Sequence, residues 1–305
     1  MEGTEQPVLA PGLYLVATPI GNLRDITLRA LDVLRQVDRI ACEDTRQTQK
    51  LLNHFEISKP TVSCHAHNEH ARAAELIKEL VAGARVALVS DAGTPGISDP
   101  GVWLAREAIA AGVPVFPIPG ANAAISALIA SGLPSAEFQF LGFLPEKAGA
   151  RRTCVEKLAS QTDSRGTAHT LIFYEAPHRI LDTLADFESV FGAQLRVAIA
   201  RELTKIHEEF LRGSVGEVRE ELAGRDRIRG EITLLVEAPA ASAHSGDAQR
   251  SATALEKIAD RVAHIQAESA VDEKEALKRL ARELGRSKSE LYRELQRERA
   301  AKRQL

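Results

Sequence analysis

One stretch of the chain concentrates the residue types that hold a small polar ligand: Asp91-Ala92-Gly93-Thr94-Pro95-Gly96-Ile97-Ser98-Asp99-Pro100-Gly101. Glycines permit positive φ and let backbone amides approach a ligand closely. A purely structural turn rarely combines so many small residues with two aspartates. The stretch follows the apolar run Arg85–Ser90, so it leaves the carboxyl end of an expected strand, where open α/β sheets bind ligands. Ser98 is placed to cap the next helix, with Pro100 early in it. Two further Gly/Pro loops, Thr18-Pro19-Ile20-Gly21-Asn22 and Pro119-Gly120-Ala121-Asn122, also stand at strand ends. Three such loops from one sheet would wall a single crevice.

Polar clusters end three other apolar runs. Cys42-Glu43-Asp44-Thr45-Arg46 and Tyr174-Glu175-Ala176-Pro177-His178-Arg179 each bring acid and arginine to a strand end, a combination that orients a polar substrate. A helix cap explains Asp44-Thr45 equally well. The run Cys64-His65-Ala66-His67-Asn68-Glu69-His70 invites a metal reading, because His65 and His67 would project to one side of a strand. A zinc site needs further ligands, and no C-x-x-C or H-E-x-x-H supplies them. Polar residues lining a pocket are the favoured reading, with no metal. Neither G-x-G-x-x-G nor G-x-x-x-x-G-K-[ST] occurs, which disfavours a standard dinucleotide fold and a P-loop NTPase.

The elements that must position these residues alternate regularly. Strands are expected at Leu13–Thr18, Asp38–Cys42, Thr61–His65, Arg85–Ser90 and Val113–Ile118, with helices at Thr27–Gln36, Thr45–His54, Asn68–Ala82, Ser98–Ala111 and Ala121–Ser131. Near-continuous apolar strands at β-α-β spacing indicate a parallel sheet covered by helices. The turn-rich Gly132-Leu133-Pro134-Ser135 reads as a domain joint. Beyond it, strands at Phe138–Gly142, His169–Tyr174, Leu195–Arg201 and Glu231–Glu237 alternate with helices around Arg151–Ala159, Ile180–Val190 and Val215–Leu222. Glu202–Ser214 is expected to fold as a hairpin turning near Arg212-Gly213. The fold class is α/β, with domains at 11–132 and 136–239, a linker at 240–250 and a helical extension at 251–305. In that extension Ala276, Leu277, Leu280 and Leu284 form one apolar face, and Leu291, Tyr292 and Leu295 another.

Composition sets the outer limits. A 44% hydrophobic content excludes wholesale disorder,. The segment Ala108–Ala136 carries no charge, but its prolines and glycines break it into strand, turn and helix rather than a membrane span. Three scattered cysteines make no disulfide framework,, and the first residues lack a signal-peptide pattern, so a cytoplasmic, reduced protein is expected. The net charge of −3 hides an uneven distribution. Residues 271–305 hold eleven Lys/Arg against seven Asp/Glu, leaving an acidic body with a basic tail, which keeps a polyanionic partner open.

Taken in order, ATPIGNLRDIT, ACEDTRQT, HAHNEH, SDAGTPGISDPG, PIPGANAAISAL, FLGFLP, YEAPHRI, ARELTKIHEE and GEITLLV resemble one family. It is the ribosomal RNA small-subunit methyltransferase I family, within the tetrapyrrole methylase superfamily of S-adenosylmethionine enzymes. The resemblance spans about Pro11 to Pro239, and the helical tail is loosely similar to that family's extension. It implies two α/β domains of the tetrapyrrole methylase type with S-adenosyl-L-methionine between them, a homodimer, and 2′-O-methylation of a cytidine ribose in 16S ribosomal RNA, with the small ribosomal subunit as its setting. By that resemblance the donor meets Asp91 to Ser98 (Asp91, Ala92, Gly93, Thr94, Pro95, Gly96, Ile97, Ser98) and Ala121 and Asn122. From the other domain Tyr174, Glu175, Glu202, Leu203 and Thr233 border the adenine. Asp44, Arg46, His67, Glu175 and His178 are the candidates for acceptor positioning and proton removal, the base being unassigned. Arg46, Arg179, Arg201 and Lys205 are the candidate local positive charges. Porphyrin-type members open with Gly-Pro-Gly-Asp where this chain has Thr-Pro-Ile-Gly-Asn, which argues for a different acceptor. A small-molecule acceptor such as a tetrapyrrole, and a non-catalytic ribosome-binding protein, are the competing readings.

Overall fold

The computed structural model describes residues 8–65, 68–98, 102–162, 168–238 and, in the tail, 262, 265–266, 272–284, 291–292 and 295. The chain divides into two compact units, Met1–Ala241 and Ser242–Leu305. His67, the expected linker 240–250 and the Asp99-Pro100-Gly101 end of the glycine-rich loop lie outside the described residues.

The first unit holds two five-stranded sheets. β1 (Gly12–Val16), β2 (Arg39–Cys42), β3 (Thr61–Ser63), β4 (Arg85–Val89) and β5 (Val115–Ile118) form a parallel sheet in the order β3-β2-β4-β1-β5. Alternate residues of a strand face opposite sides, and here both sides are covered. Tyr14, Val16, Ile40, Ala87 and Val89 pack with Leu31 and Leu34 of α1 (Leu28–Gln36) and Leu52 of α2 (Thr45–His54). Leu13, Ala41, Val86 and Leu88 pack with Leu76 and Leu80 of α3 (Glu69–Val81) and Leu104 and Ala108 of α4 (Val102–Ala110). Burial on both faces is why these strands read as unbroken apolar runs. Thr27, Asp44 and Asn122 start α1, α2 and α5 (Ala123–Ser131) as N-caps, each accepting a backbone N–H inside its helix,.

The second sheet is mixed. β6 (Phe138–Phe143) runs parallel to β7 (His169–Glu175), whereas β10 (Ile232–Ala238) is antiparallel to β7 and to β8 (Arg196–Arg201), and β9 (Glu209–Ser214) is antiparallel to β8. The order is β6-β7-β10-β8-β9. The expected hairpin therefore differs from the sequence reading: Arg212 and Gly213 lie inside β9, paired with Ala198 and Val197, and the connection is 202–208. Its bend uses positive φ at Glu202 (52°) and Thr204 (67°), a conformation that no glycine announces. One face of this sheet packs on α6 (Ala148–Thr162), α7 (Ile180–Phe191) and α8 (Val215–Ala223).

The other face receives α5 from the first half of the chain. Ala124, Ala127 and Leu128, with Leu133, share one buried cluster with Ile172, Ala198, Ala200 and Leu235. Arg212 fastens the helix end, donating to the Ala130 carbonyl at 3.2 and 2.7 Å through Nε and Nη2 while lying over Phe210. The uncharged segment of the sequence thus holds β5 and α5, one face of α5 being buried while Ile125 and Ile129 are exposed. Among the described residues no helix is long and apolar enough to cross a membrane.

A carboxylate between two arginines ties β8 and β9 to the end of α8. Glu209 accepts two bonds from Arg225, each of 2.8 Å, and one from Arg201 at 2.8 Å. The Arg225 hydrogen bonds chiefly, then those of Arg201, pull its pKa from 4.5 to about 2. A carboxylate whose folded pKa lies below its unfolded value stabilises the fold above the unfolded value and loses that contribution as pH falls. The stabilisation from Glu209 is expected to fade between pH 4.5 and about 2. Urea midpoints measured through that window should fall less steeply for Glu209→Gln than for the parent.

In the second unit, α9 (Glu273–Leu284) buries Ala276, Leu277 and Leu280 against Val262, Leu291 and Leu295 in one small core. Tyr292, expected on the second apolar face, is exposed instead, and the side chain of Leu284 lies outside the described residues.

Candidate active site

Three neighbouring strands of the parallel sheet, β4, β1 and β5, deliver the three Gly/Pro loops to one place. Thr18 and Gly93 exchange backbone hydrogen bonds of 2.9 and 3.1 Å. Thr18 Oγ1 donates to the Ser90 carbonyl at 3.1 Å, and Ser90 Oγ donates to the Gly93 carbonyl at 3.1 Å. Gly93 takes φ +84°, which favours glycine, and a Cβ there would sit 3.2 Å from Ile20 Cγ2, a tight contact that Ile20 would have to yield to. The β5 loop joins through Thr94, whose Oγ1 lies 3.3 Å from the Ala121 carbonyl and 3.3 Å from Asn122 Nδ2. Asn122 thus holds the loop with its amide nitrogen and caps α5 with its amide oxygen.

These loops form one wall of a cavity of about 410 Å³; the mixed sheet forms the other. Ile20, Ala92, Gly93, Thr94, Ile97, Ser98, Asn122 and Ala123 face it from the first half. Phe143, Tyr174, Ala176, Pro177, Ala200, Leu203 and the run Gly230-Glu231-Ile232-Thr233 face it from the second. Apolar walls with a few convergent polar groups and amides are the usual make-up of a small-molecule site.

The expected site residues separate into groups. Ala92, Gly93, Thr94, Ile97, Ser98, Asn122, Tyr174, Leu203 and Thr233 lie on the cavity wall. Pro95 and Gly96 turn away, lining a second cavity with Leu15, Leu88 and Val102. Asp91 reaches sideways, its Oδ1 accepting the Asp44 N–H at 3.1 Å, and so ties the β4 loop to the β2 end. Ala121 stands behind Thr94. Asp44 caps α2 through the Arg46 N–H at 2.8 Å, and the Arg46 side chain is exposed. His178 is exposed; no position is described for His67.

Two carboxylates have different neighbours from those the sequence suggested. The Glu175 backbone borders the cavity, but its side chain has no exposed surface. Oε1 accepts from Arg179 Nε at 2.5 Å and from the Ala176 N–H at 2.7 Å, and Oε2 from Thr183 Oγ1 at 2.7 Å. With both oxygens occupied and no path to solvent, it supports the wall from behind rather than meeting a substrate. Glu202 likewise accepts from Lys205 Nζ at 2.8 Å and the Glu231 N–H at 2.9 Å, and Lys205 chiefly holds its carboxyl below the usual range. It braces the Gly230–Ile232 wall. Of the four candidate cations, Arg179, Arg201 and Lys205 are engaged with carboxylates; Arg46 has no carboxylate partner among the described residues.

Several residues went unnoticed in the sequence. Phe143 is 58% exposed on the cavity wall and meets Tyr174 edge-on at 5.7 Å. The signal was Gly142, which breaks the β6–β7 register and takes φ +66°. A glycine inside a strand marks a bulge or a close backbone approach, and a Cβ there would lie 3.2 Å from Ser98 Oγ. Glu43, beside Asp44, has its carboxyl pKa raised by burial and then by the Asp91 carboxylate.

A parallel sheet and a mixed sheet enclosing a loop-walled cavity define an enzyme-like α/β fold of the Tetrapyrrole (Corrin/Porphyrin) Methylases, whose family model matches residues 12–219. The fold is shared with a native uroporphyrin III C-methyl transferase from Thermus thermophilus (TM-score 0.50, 17% identity, 73% of this chain and 96% of that one). A conserved hypothetical protein from Aeropyrum pernix K1 also shares it (TM-score 0.57, 20% identity, 76% and 86%). Curated relatives are far closer in sequence. The ribosomal RNA small subunit methyltransferase I of Halalkalibacterium halodurans is 47% identical over 92% of this chain and 93% of its own. Its namesake in Synechocystis is 53% identical over 67% and 71%. The chain belongs to the ribosomal RNA small subunit methyltransferase I family of tetrapyrrole methylases.

Proposed function

We propose that this protein transfers a methyl group from S-adenosyl-L-methionine to the 2′-hydroxyl of a cytidine ribose in 16S ribosomal RNA, acting as a homodimer on the small ribosomal subunit in the cytoplasm. The observation that carries the donor half is the Gly93 loop, pinned to β1 and β5 so that its backbone lines a cavity of about 410 Å³. The names of the relatives support small-subunit ribosomal RNA as the acceptor, and the cytidine 2′-oxygen is what the sequence resemblance implies.

The residues present fit such a donor. Ala92, Gly93 and Thr94 bring backbone to the cavity where a Cβ at Gly93 would crowd Ile20, a surface suited to the amino-acid end of the molecule. Phe143 and Tyr174 offer aromatic surface, and Leu203 and Ile232 apolar surface, to a purine. When bound, the donor supplies an electrophilic methyl group on a positively charged sulfur. The chain must then align a poor nucleophile with that methyl group and accept its proton. Glu175 is already engaged. In this reading the proton acceptor is unassigned, and exposed Arg46 anchors a phosphate of the acceptor,.

The test separates the two halves. With labelled donor and small ribosomal subunits, the parent protein is expected to place label on a cytidine 2′-oxygen. Arg46→Ala should lose at least about tenfold of that transfer, the order of one charge-assisted hydrogen bond, while its donor affinity by calorimetry stays unchanged. Equal loss of transfer and donor binding would sink this division of labour.

A further inference from the structure

The acceptor must be brought to the cavity by some surface, and Arg46 alone makes a small one because several other cations near it are already neutralised. Arg201 is held by Glu209, and Lys205 by Glu202 and Glu231. Two exposed arginines in the segment leading into the Gly230 wall are different. Arg227 and Arg229 have no carboxylate partner among the described residues. Their segment is fixed to the second sheet, because Arg201 Nη1 donates to the Arg229 carbonyl at 3.2 Å.

Across from them runs the 202–208 connection. Lys205 joins it to Glu231 on the cavity wall at 3.0 Å, and Leu203 lines the cavity itself. It also reaches the first half of the chain: a Cβ on Gly21, next to the cavity residue Ile20, would lie 2.5 Å from Lys205 Cγ. The connection therefore stands at the rim where both walls meet. It is stiff, because the Thr204 N–H donates to Glu208 Oε2 at 2.6 Å and the Glu208 N–H to the Lys205 carbonyl at 3.1 Å. At its tip Ile206 is 98% exposed. A rigid support that holds an isoleucine fully in water adds nothing to folding, and backbone strain of this kind gathers at functional sites.

We infer that this rim docks a single-stranded segment of RNA, with Ile206 as an apolar wedge against an unstacked base and Arg227 and Arg229 as phosphate anchors. The inference rests on the RNA reading above and adds the surface that reading lacks. A nucleotide must leave its stack for its ribose to enter a cavity between two sheets. Unstacked bases present flat apolar faces, and an inserted isoleucine is one of the side chains used to hold neighbouring bases apart. Arginine contacts to phosphate are indifferent to sequence and sensitive to salt.

The experiment measures binding of a labelled single-stranded oligoribonucleotide, and of the same sequence as a duplex, over a range of salt concentrations. The parent should prefer the single strand. The double variant Arg227→Ala, Arg229→Ala should lower the slope of log K against log salt by about 1.4, at roughly 0.7 per contact. Ile206→Ser should weaken binding about fivefold, the order expected for a partly buried aliphatic side chain, with the slope unchanged. Unaltered thermal midpoints and donor affinity would show that both variants are folded. An unchanged slope in the arginine variant, unchanged affinity in Ile206→Ser, or a parent that prefers duplex overturns the docking surface. Labelling of ribosomal RNA by the parent in the same preparation keeps the two readings apart, since its absence overturns the proposed function instead.

Discussion

Glu175→Ala is expected to destabilise the protein by about 3–5 kcal/mol, the cost of leaving one partner of a buried ion pair without the other. The Arg179 side chain is 10% exposed, and besides Glu175 it has the Leu144 carbonyl at 3.2 Å. Truncating Glu175 would bury a guanidinium with one neutral acceptor and strand the Thr183 hydroxyl. Urea unfolding measures the loss. Removing both charges, as in Glu175→Ala with Arg179→Ala, should cost less than the two single changes added together. Glu175→Gln decides between support and catalysis. The amide still offers an oxygen to Arg179, so methyl transfer should survive in proportion to the folded fraction. A normal melting temperature with transfer abolished would return Glu175 to the reacting groups.

The second large effect is expected at Gly93. Gly93→Val places a β-branched residue at φ +84° with its Cβ 3.2 Å from Ile20 Cγ2, and β-branched residues are outliers at positive φ. The loop must then give up its exchange of hydrogen bonds with Thr18, and with it the position of Thr94 on the cavity wall. Strain of about 1–3 kcal/mol plus the displaced backbone should weaken binding of the proposed donor by about a hundredfold, read by calorimetry. Gly83→Ala is the control. It takes a similar strain at φ +96°, but nothing lies within 4 Å of its Cβ, and it is not on the cavity wall. It should lower stability and leave donor affinity alone. If both variants bind the donor as the parent does, the cavity is not the donor site.

The fold was legible where burial on two faces wrote itself into composition, as in Arg85–Val89 and His169–Glu175, and where a side chain caps its own helix, as Asp44 and Asn122 do. Directions were less legible. The sequence resemblance assigns Tyr174 and Glu175 together to one ligand, but neighbours on a strand face opposite ways. Ile172 and Tyr174 belong to the face that packs on α5, while Leu171 and Phe173 belong to the face covered by α6, α7 and α8. Glu175 therefore points with Phe173, toward Arg179 and Thr183. Alternation along the strand contained that answer; what was missing was which face met the cavity. The 202–208 connection was hidden for another reason. Its bend uses Glu202 and Thr204 at positive φ, whereas turn signals are carried by Gly, Asn and Asp. Salt bridges were the least visible of all. A count of arginines near a motif does not say which are spoken for by Glu209 or Glu231.

The chain turns at Gly132-Leu133-Pro134-Ser135, a place that invites dissection into two stand-alone halves. The placement of α5 makes that cut costly. Severed there, the leading fragment would carry a helix whose Ala124, Ala127 and Leu128 face water, and the trailing fragment a sheet with Ile172, Ala198, Ala200 and Leu235 laid bare. Each piece would lack what the other shields, and each would be prone to clump. The two sheets are separate in topology but share this buried cluster, so they are expected to melt as one.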